Sequence, residues 1–326
     1  MQPQALDGRS ILITGGTGSF GRRFIETVLA TSNPRKVIVF SRDELKQYEM
    51  QQALGDDARL RCFLGDVRDV ERLRRAFHGV DFVVHAAALK QVPAAEYNPF
   101  EAVKTNIHGA QNVIEAAIDA NVRRVIALST DKASSPINLY GATKLVSDKL
   151  FVQGNFYAGH QDTRFAVVRY GNVVGSRGSV VPFFKMKAET GVLPITDERM
   201  TRFWITLQQG VEFVLSSLQL MRGGEVFVPK IPSMRVTDLA RAIAPEATLE
   251  YVGIRTGEKL HEEMISIDDA RRTIDIGDRY VIQPEFGWWG NDHLEGASVP
   301  EGFAYTSDKN EAWLDVEGLR ALLTHA

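Results

Sequence analysis

The sequence predicts an α/β fold, a doubly wound parallel sheet with a smaller C-terminal lobe. Three features predict it. Short apolar, β-branched runs alternate with helical segments, a glycine-rich turn follows the first run, and the rhythm breaks after about residue 175. Alternation at this pace implies right-handed β-α-β units. Sheets of this kind bind ligands beyond the carboxyl ends of their strands.

In chain order the expected strands are SILIT (10–14), KVIVF (36–40), LRCFL (60–64), DFVVHA (81–86), RVIAL (124–128) and FAVVRY (165–170). Segments such as RRFIETVLA (22–30) and GAQNVIEAAIDA (109–120) supply the helices between them. Beyond the break, GSRGSVVPFF and LPITDERMTRFW read as loops and small elements. The helix LQQGVEFVLSSLQLM (207–221) and the strand GEVFVP (224–229) return to the first domain. The expected division is 1–175 plus about 203–231 for the first domain, and 176–202 plus about 232–326 for the lobe. The active cleft lies between them.

Composition narrows the function. The 326 residues are 44% hydrophobic and 24% charged, ordinary for a soluble globular chain. The formal net charge of -3 gives no reason to expect nucleic acid or an anionic membrane as partner. An anionic ligand must be met by local basic groups. No apolar run approaches the roughly 18 residues of a membrane span, and the N-terminus lacks a signal-peptide pattern. The one cysteine, Cys62, can form no internal disulfide. A cytoplasmic location is the expectation.

Gly15, Gly18 and Gly21 in ILITGGTGSFGRRF have the spacing G-x-x-G-x-x-G. The first glycine permits a tight turn, the second lets backbone approach a pyrophosphate, and the third lets helix pack on strand. Helix N-terminal N–H groups then face the phosphates. The expected contacts are Gly15, Thr17, Gly18, Ser19, Phe20 and Gly21. A ligand-free glycine turn is the alternative, and a strand before it and a helix after it argue for a dinucleotide.

The second strand ends in Ser41 and Arg42 rather than an acidic residue, with Lys46 one turn on. These three can hold a 2′-phosphate, which favours NADP over NAD. In the alternative, Arg42 pairs with Asp43 or Glu44 on a solvated helix start. Asp66 and Val67 follow the third strand, where an adenine edge lies. Ala86 follows the fourth against the cofactor, with Lys90 at the cleft. No metal site is expected.

STDKASSPINLYGATK (129–144) carries the chemistry. Tyr140 and Lys144 are four apart and share a helix face. A free tyrosine has a pKa of about 10, and a nearby ammonium and a cationic nicotinamide favour its phenolate. Tyr140 can then take a proton from a substrate alcohol as hydride leaves, with Thr130 bonded to the same oxygen. Asp131 and Lys132 stand directly after Ser-Thr. Their bland reading is a surface ion pair.

Here the chain resembles the extended short-chain dehydrogenase/reductase family, with its Rossmann-type fold. GGTGSFG, SRDELK, GDVRD, HAAALKQVP, STDKASSPINLYGATK, VRYGNVVGSRGSVVPFF, MTRFWIT and GEKLHE together resemble one branch. That branch is the soluble, inverting UDP-N-acetylglucosamine 4,6-dehydratases that open pseudaminic acid synthesis. One departure is RTGEK (255–259), where the branch usually has proline at position 256. The resemblance implies oxidation of the sugar at carbon 4, which acidifies the proton on carbon 5. Lys132, if deprotonated, removes that proton and Asp131 protonates the departing hydroxyl of carbon 6. Hydride then returns to carbon 6. The implied product is UDP-2-acetamido-2,6-dideoxy-β-L-arabino-hex-4-ulose.

The resemblance also implies substrate contacts from Lys90, Asn172, Arg202, Arg255 and Glu258, and a homo-oligomer. Arg202 and Arg255 would clamp phosphates, and Glu258 would accept from ribose hydroxyls. The rival readings are a UDP-sugar 4-epimerase and a non-catalytic NADP-binding sensor.

Overall fold

The structure is a computed structural model that describes residues 6–159, 161–175, 180–284 and 293–324. Six parallel strands form its centre: β1 (Ser10–Thr14), β2 (Lys36–Ser41), β3 (Leu60–Leu64), β4 (Phe82–His85), β5 (Arg124–Leu128) and β6 (Arg164–Val168). They run in the order β3-β2-β1-β4-β5-β6, the doubly wound arrangement. Their connections are α1 (Ser19–Thr31), α2 (Glu44–Ala53), α3 (Val70–Phe77), then α4 (Val92–Tyr97), α5 (Pro99–Val103) and α6 (Gly109–Asp119), and finally α7 (Leu139–Tyr157). Every residue of β1 is buried, because helices cover both faces of the sheet.

The rest of the chain comprises β7 (Asn172–Val173), α8 (Val180–Ala188), β8 (Val192–Ile195), β9 (Thr201–Ile205), α9 (Leu207–Leu220), β10 (Val226–Pro229), β11 (Ser233–Arg235), α10 (Val236–Ile243) and β12 (Thr248–Tyr251). After these come β13 (Glu263–Ile265), α11 (Ile267–Ala270), β14 (Thr273–Asp275), β15 (Arg279–Ile282), β16 (Ala297–Ser298), β17 (Tyr305–Thr306) and α12 (Val316–Thr324). Helix α9 packs on α1 of the parallel-sheet half. Thr27 on α1 donates to Gln208 on α9 at 3.2 Å, and β10 joins the sheet parallel to β6.

One expectation needs correction. Residues 273–282 and 297–298, assigned from sequence to the lobe, supply β15, β14 and β16, which extend the large sheet antiparallel beyond β10. Their short runs carry no periodicity that distinguishes a sheet edge from a separate lobe. Pairing with β10 buries Val281 and Ile282 in the main core.

A second core gathers Val181, Phe184, Leu193, Trp204, Leu239 and Leu319 among α8, β8, β9, α10 and α12. Strand β9 serves both cores. Alternation along it sends Phe203 and Ile205 into the main core and Trp204 into the second. The start of the expected lobe, 176–179, lies outside the described residues.

Candidate active site

The phosphate turn is built by close approach. A Cβ on Gly15, whose φ is +65°, would meet the Ala87 backbone at 2.9 Å. A Cβ on Gly21 would overlap the backbone of Gly16. Gly18 caps α1 without a side-chain bond, and no acidic residue occupies the first turn. A helix N-terminus begun in this way suits a dinucleotide's phosphates. Thr17 and Ser19 are half-buried in the turn, and the Phe20 ring stacks between Phe24 and Tyr170. Thr14 Oγ1 accepts from the N–H groups of Ala86 and Ala87 at 3.2 and 3.3 Å and bonds His85 Nδ1 at 2.8 Å. Burial holds His85 neutral, with its pKa pushed down to about 3. The ends of β1 and β4 are thereby pinned to each other beside the glycine turn.

At the end of β2, Ser41 Oγ accepts from Gln47 at 2.9 Å. Arg42 faces Asp66 at 3.6 Å, not Asp43 or Glu44, and Lys46 pairs with Asp43 at 2.5 Å. Both cations are largely exposed, so these pairs are weak and open to a phosphate. Asp66 is held chiefly by Arg68, at 2.7 Å. Val67 is buried, and a Cβ on Gly109 would touch it.

The 86–90 stretch is tied to α7. Asn106 accepts from Leu89 N at 2.8 Å, donates to Leu89 O at 2.9 Å, and donates to Thr143 at 3.0 Å. It sits in a π-helical turn, Lys104–His108, a feature common at functional sites. Sequence reasoning missed Asn106, since nothing local marks it.

The catalytic candidates converge where β5 ends and α7 begins. Asn138 caps α7 by accepting from Gly141 N at 2.8 Å. A Cβ on Gly141 would overlap the Lys132 carbonyl, so only glycine lets the helix start this close. That contact sets Tyr140 against the turn Asp131–Ala133. Thr130 stands beside Tyr140 and donates to Asp131 Oδ1 at 2.9 Å. Burial lifts the Tyr140 pKa to about 12, against the pull of Lys132. The phenol is therefore neutral in the free enzyme. Lys144 is buried, which lowers its pKa, while Asp148 one turn on opposes the fall. Asp148 accepts from Ser129 at 2.7 Å and faces Arg169 at 3.4 Å.

Asp131 and Lys132 are not a surface ion pair. Asp131 is 1% exposed, and its Oδ1 lies 3.1 Å from Lys132 Nζ. A second carboxylate, Glu262, sits 3.0 Å from the same Nζ and is 2% exposed. Burial alone would lower the Lys132 pKa, but Asp131 and Glu262 together raise it. The two carboxylates thus favour the ammonium form of Lys132 in the free enzyme, and its action as a base requires that a proton first leave it. Glu262 was within the motif GEKLHE, and only its place in the fold separates it from its neighbours.

Among the residues taken as substrate contacts, Arg202 comes nearest this cluster. Its Nε is 3.6 Å from Glu262 Oε1, and Nη1 donates to the carbonyls of Thr201 and Leu260 at 2.7 and 3.1 Å. Asn172 Oδ1 and Glu258 Oε2 are buried with no hydrogen-bond partner among the described residues. Arg255 is exposed and faces Glu258 at 3.7 Å. Asn138 donates to Gly257 O at 2.8 Å, which ties that loop to the start of α7. Lys90 is exposed beyond β4.

Residues 11–284 match the sequence family described as "Polysaccharide biosynthesis protein". The chain is 55% identical to a Campylobacter jejuni protein named UDP-N-acetylglucosamine 4,6-dehydratase (inverting), over 97% of this chain and 98% of that one. The chain belongs to this family of extended short-chain dehydrogenases/reductases. Another family relative, a Rickettsia canadensis protein named UDP-glucose 4-epimerase, is 42% identical over 84% of this chain and 82% of its own. Among solved structures, DesIV, a dTDP-glucose 4,6-dehydratase from Streptomyces venezuelae with NAD and TYD bound, superposes with a TM-score of 0.69. It is 27% identical, over 77% of this chain and 86% of that one. No helix among the described residues is long and apolar enough to cross a membrane.

Proposed function

We propose that the protein is an inverting UDP-N-acetylglucosamine 4,6-dehydratase that works with a bound NADP. The observation that carries this reading is the acid–base pair of buried Asp131 and half-buried Lys132, with Thr130 donating to Asp131 beside Tyr140. A 4-epimerase needs a base for the hydroxyl of carbon 4 and nothing at carbons 5 and 6. The bound nicotinamide dinucleotide supplies the hydride acceptor and donor. Tyr140 takes the proton from the hydroxyl of carbon 4, Thr130 orients that oxygen, and Lys144 holds positive charge beneath it. Lys132 removes the proton of carbon 5 and Asp131 protonates the leaving hydroxyl. Asn172, Arg202, Arg255, Glu258 and Lys90 are the proposed substrate contacts. The substrate lies between the main sheet and the lobe centred on α8, β8, β12, α10 and α12. A homo-oligomer in the cytoplasm completes the reading.

Product analysis tests it. Incubated with UDP-N-acetylglucosamine, the enzyme should form a 4-keto-6-deoxy sugar without net change in cofactor. Substrate carrying deuterium at carbon 4 should give product labelled in its methyl group by mass spectrometry. An epimer with no water lost supports the reading that the rickettsial relatives favour. Stoichiometric accumulation of reduced cofactor indicates a simple dehydrogenase.

The cofactor has its own test. Arg42 and Lys46 can exchange their solvent-exposed ion pairs for a 2′-phosphate, so NADP should bind more tightly than NAD. Arg42→Ala should narrow the difference by about tenfold, the loss of roughly 1.4 kcal/mol. Calorimetric titration with both dinucleotides reads this directly, and equal affinities in the unmutated protein refute the assignment.

A further inference from the structure

We propose that Glu262 is the positioning residue of the acid–base pair, a buried carboxylate that holds the Lys132 amine and sets the protons Lys132 and Asp131 share. The inference rests on the dehydratase reading.

Three observations carry it. Glu262 and Asp131 approach Lys132 Nζ from two elements distant in sequence, at 3.0 and 3.1 Å. Arg202 lies 3.6 Å from the same Glu262 oxygen. The Glu262 backbone is clamped, because its N–H donates to Ser307 Oγ at 2.9 Å and its carbonyl accepts from Ser307 N at 2.8 Å. The backbone that carries the carboxylate is therefore fixed beside the amine.

The charged surroundings divide the roles. Lys132 and Asp131 face Glu262 from the end of β5, Arg202 from β9, and Lys259 from the preceding loop. Tyr140 faces the pair from α7. Glu263 is taken up by the hydroxyls of Ser134 and Ser135, both at 2.7 Å. His261 bonds Thr201 and lies near Asp308. Burial would raise the Glu262 pKa, but Lys132 and Arg202 keep it low. Burial and then Glu262 raise that of Asp131. Two carboxylates thus flank one ammonium, and Asp131 is the one more readily protonated.

This resolves how a cationic Lys132 becomes a base. One proton moves from Nζ to Asp131 Oδ1 along their direct contact. An N–H bond breaks, an O–H bond forms, and the site's proton count is unchanged. The neutral amine then takes the proton of carbon 5. The Asp131 carboxyl gives its proton to the oxygen of carbon 6 as the carbon–oxygen bond breaks. Water leaves, and the starting ion pair is restored. Glu262 keeps the amine aligned throughout and raises the affinity of both partners for protons.

Glu262→Gln removes that negative charge while keeping the shape. The enzyme is given UDP-N-acetylglucosamine in heavy water, and deuterium uptake at carbon 5 is followed across pH. Loss of the charge lowers the proton affinity of both neighbours. Both limbs of the profile should therefore move toward acid by roughly one to three pH units, and Glu262→Asp should move them back. A uniform fall in rate with both limbs in place overturns the proposal, because loosened packing alone does that. A second measurement needs no variant at position 262. In nitrogen-15-lysine-labelled protein, the Lys132 Nζ resonance, identified by its loss in Lys132→Ala, should titrate above the ordinary lysine value of about 10.4. Titration at or below that value overturns the proposal. If the native enzyme forms no keto sugar, the dehydratase reading falls, and this titration still decides what Glu262 does.

Discussion

Tyr140→Phe should stop turnover at its first step, with the rate falling by about 10²–10⁴-fold. The phenol oxygen stands beside Thr130 at the start of α7, so phenylalanine leaves the hydroxyl of carbon 4 without a proton acceptor. The ring itself packs as before, and nucleotide binding should persist. With the free-enzyme pKa near 12, the native first step should accelerate as pH rises through the neutral range, because the phenolate is the scarce form. The variant should lose that dependence. Rapid-mixing absorbance at 340 nm in a single turnover checks both statements. A Tyr140→Phe enzyme that still oxidises the sugar at a native rate removes Tyr140 from the chemistry.

Lys132→Ala should spare nucleotide binding and block elimination, again by about 10²–10⁴-fold. Oxidised sugar should accumulate without water loss, and solvent deuterium should not enter carbon 5. The native enzyme in heavy water should place deuterium there and give the inverted configuration. Retention would leave a dehydratase standing and sink the inverting assignment. The same substitution strips Asp131 and Glu262 of their shared counter-ion, and breaking a buried pair typically costs about 3–5 kcal/mol. The loss has a defined pH sign. Asp131 already has a raised pKa, and removing the ammonium raises it further. A group raised in the folded state contributes stability below its unfolded pKa and loses it as pH rises through the folded value. The melting deficit of Lys132→Ala should therefore be smaller near pH 5 than near pH 8, by calorimetric scans at both.

Local pattern made several features legible. Gly15 to Gly21 between a strand and a helix is a covalent-scale statement about backbone reach, and the fold uses it so. Tyr140 and Lys144 share a helix face because four residues make about one turn. The six parallel strands are all near-continuous apolar runs, the signature of a sheet covered on both sides. Arg42 was visible as a basic residue at a strand end, but its partner was not. The expected Asp43 instead caps α2 and holds Lys46, while Arg42 reaches across to Asp66 after β3.

By itself, the sequence determined the doubly wound class, the dinucleotide turn, and the short stretch in which Thr130, Asp131, Lys132, Tyr140 and Lys144 lie. These rest on spacing and on neighbouring residues, which a chain carries without folding. The tertiary structure alone decided that β14 to β16 extend the main sheet, that Asn106 ties Leu89 to α7, and that Glu262 stands against Lys132. It also decided the charge of Lys132. Whether a lysine is base or cation depends on burial and on the carboxylates within a few ångströms, and one of these lies 130 positions away in the chain.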